Sequence, residues 1–172
     1  HIIAREVIFV DLSLAQMAAL GSTVAIFAGS EPGSTMSYVY ALGFTTIGAA
    51  LFALTRTHEK GRVPQEAIIG IVYVVASAAA ILVANRVPRG GEAIQDILVG
   101  SLLWVTWPAI LKMAGVYALL GVFHVVLRKR FLTISFEPEK ALANGWSIRW
   151  WDFWFYLSFG VVITLSVPIA GV

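Results

Sequence analysis

The run AIIGIVYVVASAAAILVA, residues 67–84, carries no charged side chain. At about 1.5 Å of helical rise per residue it covers most of the ~30 Å hydrocarbon core of a bilayer. Its apolar positions do not alternate with polar ones, as the strands of a transmembrane barrel would. The run therefore predicts a membrane-spanning helix. On either side of it lie four similar stretches. Residues 7–30 hold Asp11 as their single charge, 36–55 hold none, about 102–127 hold Lys112 and His124, and 153 to the last residue hold none.

Composition agrees with that reading. Of 172 residues, 59% are apolar and 13% charged, against roughly 45–50% and about 25% in a soluble domain, and the mean hydropathy is +0.83. Six Trp and five Tyr suit a chain anchored at bilayer interfaces. The fold class expected is all-α: a polytopic transmembrane helical bundle of about five spans, forming one membrane domain over residues 1–172, with short interfacial and cytoplasmic helices. The chain opens on His1 and stops at Val172 inside an apolar run, so it reads as part of a longer membrane protein. The absence of Cys excludes disulfides, thiolate metal sites and cysteine nucleophiles.

Lys and Arg set the orientation. Arg5, then Arg56, Lys60 and Arg62, then Arg128, Lys129, Arg130, Lys140 and Arg149 fall on one side of the predicted spans, while Arg86 and Arg89 fall on the other. The rich side is expected in the cytoplasm, which makes 56–66 a cytoplasmic loop. A basic balance of +2 is explained by these loops without a nucleic-acid partner.

Three shorter segments add detail. Arg62, Val63, Pro64, Gln65 and Glu66 read as a helix start, with Pro in the first turn and an acid near the positive dipole end. Residues 90–100 are too short and too acidic to span, and predict an interfacial or re-entrant helix at the outer face. Ala76, Ala80 and Ala84 form a small-residue stripe for close helix packing. Residues 135–145 predict a two-turn cytoplasmic helix. Glu137 is placed to cap it, Pro138 suits its first position, Glu139 favours its dipole and Asn144-Gly145 supplies a left-handed stop. Phe136, Ala141 and Leu142 are expected to be exposed on it, as a surface for the membrane or a partner.

The sequence Ser135-Phe136-Glu137-Pro138-Glu139-Lys140-Ala141, followed by Gly145, Arg149, Asp152 and a new span, resembles the permease subunit of ATP-binding-cassette importers for zinc, manganese and iron. Pro64-Gln65-Glu66-Ala67-Ile68-Ile69-Gly70 looks like that family's acidic-then-Ile-Gly helix start, and the glycine-led stretch from Gly90 is similar to its short segment after that helix. The resemblance covers residues 62–172. It implies a multi-pass protein of the bacterial inner membrane that pairs with a second permease chain, as a homodimer, and rests on cytoplasmic ATPase subunits. An extracytoplasmic solute-binding protein is implied as the donor of the ion. The family's coupling helix, which seats in the ATPase, corresponds to Ser135, Phe136, Glu137, Pro138, Glu139, Ala141, Leu142 and Gly145.

One departure bears on the substrate. The family's pattern Gly-Asp-x-x-x-His sets two metal ligands on one helical face, four residues apart. Here the His position is taken by Gln16, and Asp11 lies five residues before it, about 140° around the helix. The resemblance thus supports the transporter architecture more than it supports zinc. Candidate ion-contacting residues are Asp11 and Gln16, together with Glu92 and Asp96 at one-face spacing on the outer segment. Asp11 reads either as a pore residue or as a helix-start residue near the interface, and Gln16 either as an ion contact or as a hydrogen-bonding partner for another helix. Lys112 is expected to pair with an acid inside the bundle, and His124 to lie at the interface.

Catalytic readings lack their motifs. The chain contains no Gly-x-x-x-x-Gly-Lys-[Ser/Thr] loop and no His-Glu-x-x-His, so ATP would be used by a partner subunit and no cofactor is expected in this chain. The alternative classes are a membrane subunit of an electron-transfer complex and a structural membrane anchor.

Overall fold

The computed structural model describes residues 9–56, 64–87, 90–100 and 105–171. These residues form α1 (Val10–Phe27), α2 (Thr35–Thr55), α3 (Gln65–Ala84), α4 (Gly90–Val99), α5 (Trp107–Val126), α6 (Arg128–Phe136), α7 (Pro138–Ala143) and α8 (Ile148–Ala170). Five of them, α1, α2, α3, α5 and α8, are long and apolar enough to cross a membrane. The all-α bundle expected from the uncharged runs is the fold found.

Local chemistry explains most boundaries. Ser34 caps α2, its hydroxyl accepting the Ser37 N–H at 3.3 Å. Pro64 precedes α3 and Pro108 sits in the first turn of α5, where a missing N–H costs no helical bond. At the end of α7, Gly145 is left-handed at φ 71°, and the N–H groups of Gly145 and Trp146 donate to the Leu142 and Ala141 carbonyls at 2.9 and 3.0 Å. That double closure is a Schellman stop.

Two spans start elsewhere than expected. The fourth begins at Trp107 rather than near residue 102, since Thr106 is extended; residues 101–104 lie outside the description, as do Arg5 and residues 57–63 of the expected loop and Arg89. The fifth begins at Ile148 rather than 153 and takes Arg149 and Asp152 into the helix. Asp152 is accommodated there because Arg56, at the end of α2, pairs with it.

Helix α1 is the centre of the bundle and packs against α2, α3 and α8. Helix–helix association in lipid depends on close van der Waals contact, which small residues permit. Ala76 and Ala80 of α3 are buried against Met17 and Leu20 of α1, as the alanine stripe predicts. Gly21 of α1 lies so near α2 that an added Cβ would stand 2.6 Å from the Tyr40 carbonyl oxygen and 2.7 Å from the Ala41 Cα. Thr45 and Thr164 join α2 to α8 through their hydroxyls at 3.3 Å.

By contrast, α5 buries no residue fully. Polar side chains hold it to α8. The Tyr117 hydroxyl lies 2.6 Å from that of Ser166, and His124 Nε2 lies 3.3 Å from the Ser158 hydroxyl.

Candidate functional site

Two polar clusters lie at the ends of the bundle. At one end the N-termini of α1, α3 and α8 meet the C-terminus of α2. Glu66, in the first turn of α3, accepts the Phe9 N–H at 3.0 Å through Oε1, so a carboxylate from α3 closes the start of α1. Gln65 donates from Nε2 to the Phe52 carbonyl and to the Tyr156 hydroxyl, both at 3.1 Å, bridging α2 and α8. The Arg56–Asp152 ion pair completes this layer, with the Asp152 side chain fully buried.

The short helices lie at the same end. The short helix expected to start at Pro138 and stop at Asn144-Gly145 is α7, and the two residues before Glu137 belong to a separate helix. Ser135 and Phe136 end α6, the chain breaks at Glu137 (φ −133°, ψ 60°), and α7 occupies six residues. Proline disfavours helical backbone in the residue before it, which places the break at Glu137. The expected side-chain cap is also replaced. Glu137 makes no side-chain cap hydrogen bond; its carboxylate pairs with Lys140 at 2.9 Å, and its main-chain carbonyl accepts the Lys140 and Ala141 N–H groups. Phe136 and Leu142 are exposed at 62% and 57%. Ala141, expected alongside them, is instead fully buried against Ile134 and Ile148, because α7 rests on that side and turns Leu142 outward. Glu139 is exposed and Pro138 half-buried.

At the opposite end, a cavity of about 680 Å³ opens between the C-termini of α1 and α8, the N-termini of α2 and α5, and α4. Its oxygen-bearing wall consists of Ser22, Ser37, Tyr38, Asp96 and Thr106. Gly100, left-handed at φ 71°, lets the end of α4 rest on the backbone of residues 169–171, where an added Cβ would collide with the Gly171 nitrogen and the Ile169 carbonyl oxygen. In α8, Pro168 also lines the cavity. A proline at that position cannot donate to the Thr164 carbonyl, which loosens the last turn of the helix. Among the described residues Lys112 meets no acid, where one was expected. Its Nζ stands over the Tyr38 ring, 5.0 Å from the centroid, in the cation–π range.

The four sequence-derived candidates do not converge. Asp11 is exposed at the start of α1, where its Oδ1 accepts the Leu12 N–H at 2.9 Å, while Gln16 is buried within the bundle. Glu92 and Asp96 are both exposed on α4, and of these two Asp96 lines the cavity. Among the described residues no three His, Cys, Asp or Glu side chains approach closely enough to hold a metal ion. The four hydroxyls and one carboxylate that the cavity gathers are oxygen donors of the kind suited to hard or borderline cations that keep part of their water. The hydroxyls of Ser22, Ser37 and Tyr38 were not foreseen, since their shared wall arises from packing between distant helices. Asp152 follows the short-helix motif in the sequence, but no local pattern names Arg56 as its partner.

Comparison with other proteins gives a consistent result. The whole chain, residues 1–172, matches the ABC 3 transport family. It is 28% identical over 128 residues to a Chlamydia pneumoniae protein named "Probable metal transport system membrane protein", a match covering 73% of this chain and 43% of that protein. It is 27% identical over 151 residues to the manganese transport system membrane protein MntC of Listeria innocua, covering 82% of this chain and 52% of the relative. The chain thus spans about half the length of the curated relatives it matches. The structure of PsaBC from Streptococcus pneumoniae in complex with Fab shares the fold, with a TM-score of 0.74 and 18% identity over 99% of this chain and 58% of that one. From its multi-pass helical fold and the match along its full length, the chain belongs to the ABC 3 transport family.

Proposed function

We propose that this chain forms part of the membrane-spanning permease subunit of an ATP-binding-cassette importer in the bacterial inner membrane, and that the complete protein moves a divalent metal ion (zinc, manganese or iron) or a metal chelate inward. The observation that carries this reading is the cavity of about 680 Å³ in which Ser22, Ser37, Tyr38, Asp96 and Thr106 are brought together among apolar residues such as Ile26, Val105 and Ile169. It lies at the end of the bundle away from α7, where an ion handed over by an extracytoplasmic solute-binding protein would arrive. Lipid-facing helices cannot replace a cation's water shell, so a cavity at one end that gathers oxygen-bearing side chains is what a path through the bundle requires. Asp96 attracts the cation, and Glu92, on the same helix, adds to the negative field at the mouth.

At the cytoplasmic end, the exposed Phe136 and Leu142 give a nucleotide-hydrolysing partner an apolar foothold beside Glu139. ATP is consumed in that partner, and a second permease copy completes the complex. Manganese is favoured among the ions because the polar side chains the cavity offers are the Asp96 carboxylate and hydroxyls, and oxygen donors suit harder cations.

The test is metal accumulation in cells lacking the complete gene, measured for zinc, manganese, iron and cobalt and repeated after complementation with the wild type or Asp96→Asn. Deletion is expected to lower at least one metal, the wild type to restore it, and Asp96→Asn to restore it in part. Unchanged content of all four metals on deletion would overturn the proposal.

A further inference from the structure

Beyond transport, the cytoplasmic end carries charge that the bundle itself does not use. Arg128, Lys129 and Arg130 form the first turn of α6 and are all exposed. That turn contains no acid, and among the described residues no carboxylate forms an ion pair with any of the three. Three adjacent cations at the positive end of a helix repel one another and the helix dipole alike, so an anion bound there would relieve both.

One of these cations is held in place. The Arg130 guanidinium lies over the Trp151 ring at 4.9 Å and the Trp146 ring at 5.8 Å. Stacking occupies the faces of a guanidinium and leaves its N–H edges able to grip a phosphate or carboxylate. Immediately before the cluster, the last turns of α5 present Leu119, Val122, Val125 and Val126 at 62 to 72% exposure. Beside α5, Trp154 of α8 is 36% exposed and its ring centroid lies 6.4 Å from that of Phe123, an aromatic suited to the depth of lipid headgroups. Cations, an interfacial aromatic residue and a continuous apolar face therefore follow one another along the expected bilayer normal.

We propose that Arg128, Lys129 and Arg130, with Arg130 fixed by Trp146 and Trp151, bind the headgroup of an anionic phospholipid of the cytoplasmic leaflet, whose acyl chains lie along the outer face of α5. Charge complementarity selects an anion, and the apolar strip that adjoins the cations selects one that carries tails. A protein partner fits this patch less well than it fits α7, where the exposed apolar side chains and acidic residues lie together. Lipid held here ties α6 to the membrane surface and steadies the segment from which α7 projects.

The experiment uses the complete permease purified in detergent, with dioleoylphosphatidylglycerol or dioleoylphosphatidylcholine added back. Thermal stability and the lipid retained in native mass spectrometry are recorded for the wild type, Lys129→Gln, and the triple variant Arg128→Gln/Lys129→Gln/Arg130→Gln. The wild type is expected to gain stability with the anionic lipid only. Lys129→Gln is expected to bind it about fivefold more weakly, and the triple variant on the order of 100-fold more weakly. The single variant keeps the test decisive where the triple variant fails to fold. Equal responses to the two lipids in the wild type, or an unchanged anionic-lipid response in Lys129→Gln and the triple variant, would overturn the proposal. So would loss of ATPase co-purification with full retention of lipid, which would make the patch a protein-docking surface.

Discussion

Arg56, which ends α2, forms an ion pair with Asp152, one turn inside α8 and 96 residues further along the chain. The Asp152 side chain is fully buried and that of Arg56 is 12% exposed, so removing either leaves the other largely cut off from water. Asp152→Ala is therefore expected to destabilise the bundle by about 3–5 kcal/mol, read as a fall in thermal unfolding temperature in detergent. The double variant Arg56→Leu/Asp152→Leu is expected to recover most of that loss. A fall no larger than a surface substitution causes would show that the pair contributes little.

Close approach of α1 and α2 depends on Gly21. A methyl group there meets backbone of Tyr40 and Ala41 at under 3 Å, and backbone cannot swing aside as a side-chain tip can. Gly21→Ala is expected to cost about 1–3 kcal/mol. Gly43→Ala serves as the control, since nothing lies within 4 Å of a Cβ there and stability is expected to be unchanged or slightly higher. Urea or thermal unfolding of the two variants side by side checks the contrast.

The proposed contact with an ATPase makes opposite demands on neighbouring residues of α7. Leu142 is exposed and Ala141 buried. Leu142→Asp is expected to leave the permease folded while abolishing co-purification of the ATPase, since an unpaired carboxylate buried in an apolar interface costs several kcal/mol. Ala141→Asp is expected to destabilise the permease itself, because it sets a charge against Ile134 and Ile148. Glu139→Gln is expected to weaken association more mildly. Retained association in Leu142→Asp would remove α7 from the ATPase contact.

Orientation can be read with thiol labels, because the chain has no Cys of its own. A cysteine at Ser34, in the turn before α2, is expected to react with an impermeant reagent in intact cells. One at Ala143, on α7, is expected to react only after the cytoplasmic side is opened. The reverse pattern would invert the topology.

The bilayer makes part of this fold easy to read and hides the rest. A span must be a long uncharged run, so α2 and α3 begin within two residues of the positions their composition predicts. Such runs report how far a helix extends but carry no record of which side chains face inward. Asp152 and Arg149 resemble loop residues until Arg56, distant in the chain, draws the acid into α8. Lys112 stands over Tyr38 because an aromatic ring on α2, rather than an acid, is what the packing sets beside it. The outer cavity shows the same limit. Asp96 was legible as an acid on a short outer helix, whereas Ser22, Ser37 and Thr106 join it only through the packing of α1, α2 and α5. Ala141 and Leu142 are adjacent in sequence, and their opposite burial depends on which side of α7 rests on Ile134 and Ile148.

The central claim is that the outer cavity passes a divalent cation inward at the expense of ATP in a partner. Its most direct test is uptake of radioactive manganese by proteoliposomes containing the complete permease and its ATPase, with the solute-binding protein outside and ATP inside. Wild-type uptake is expected to require ATP, and Asp96→Asn is expected to lower the rate, most strongly at low ionic strength, with the ATPase still bound. Uptake that proceeds equally without ATP, or that is the same in the wild type and Asp96→Asn, would contradict the account.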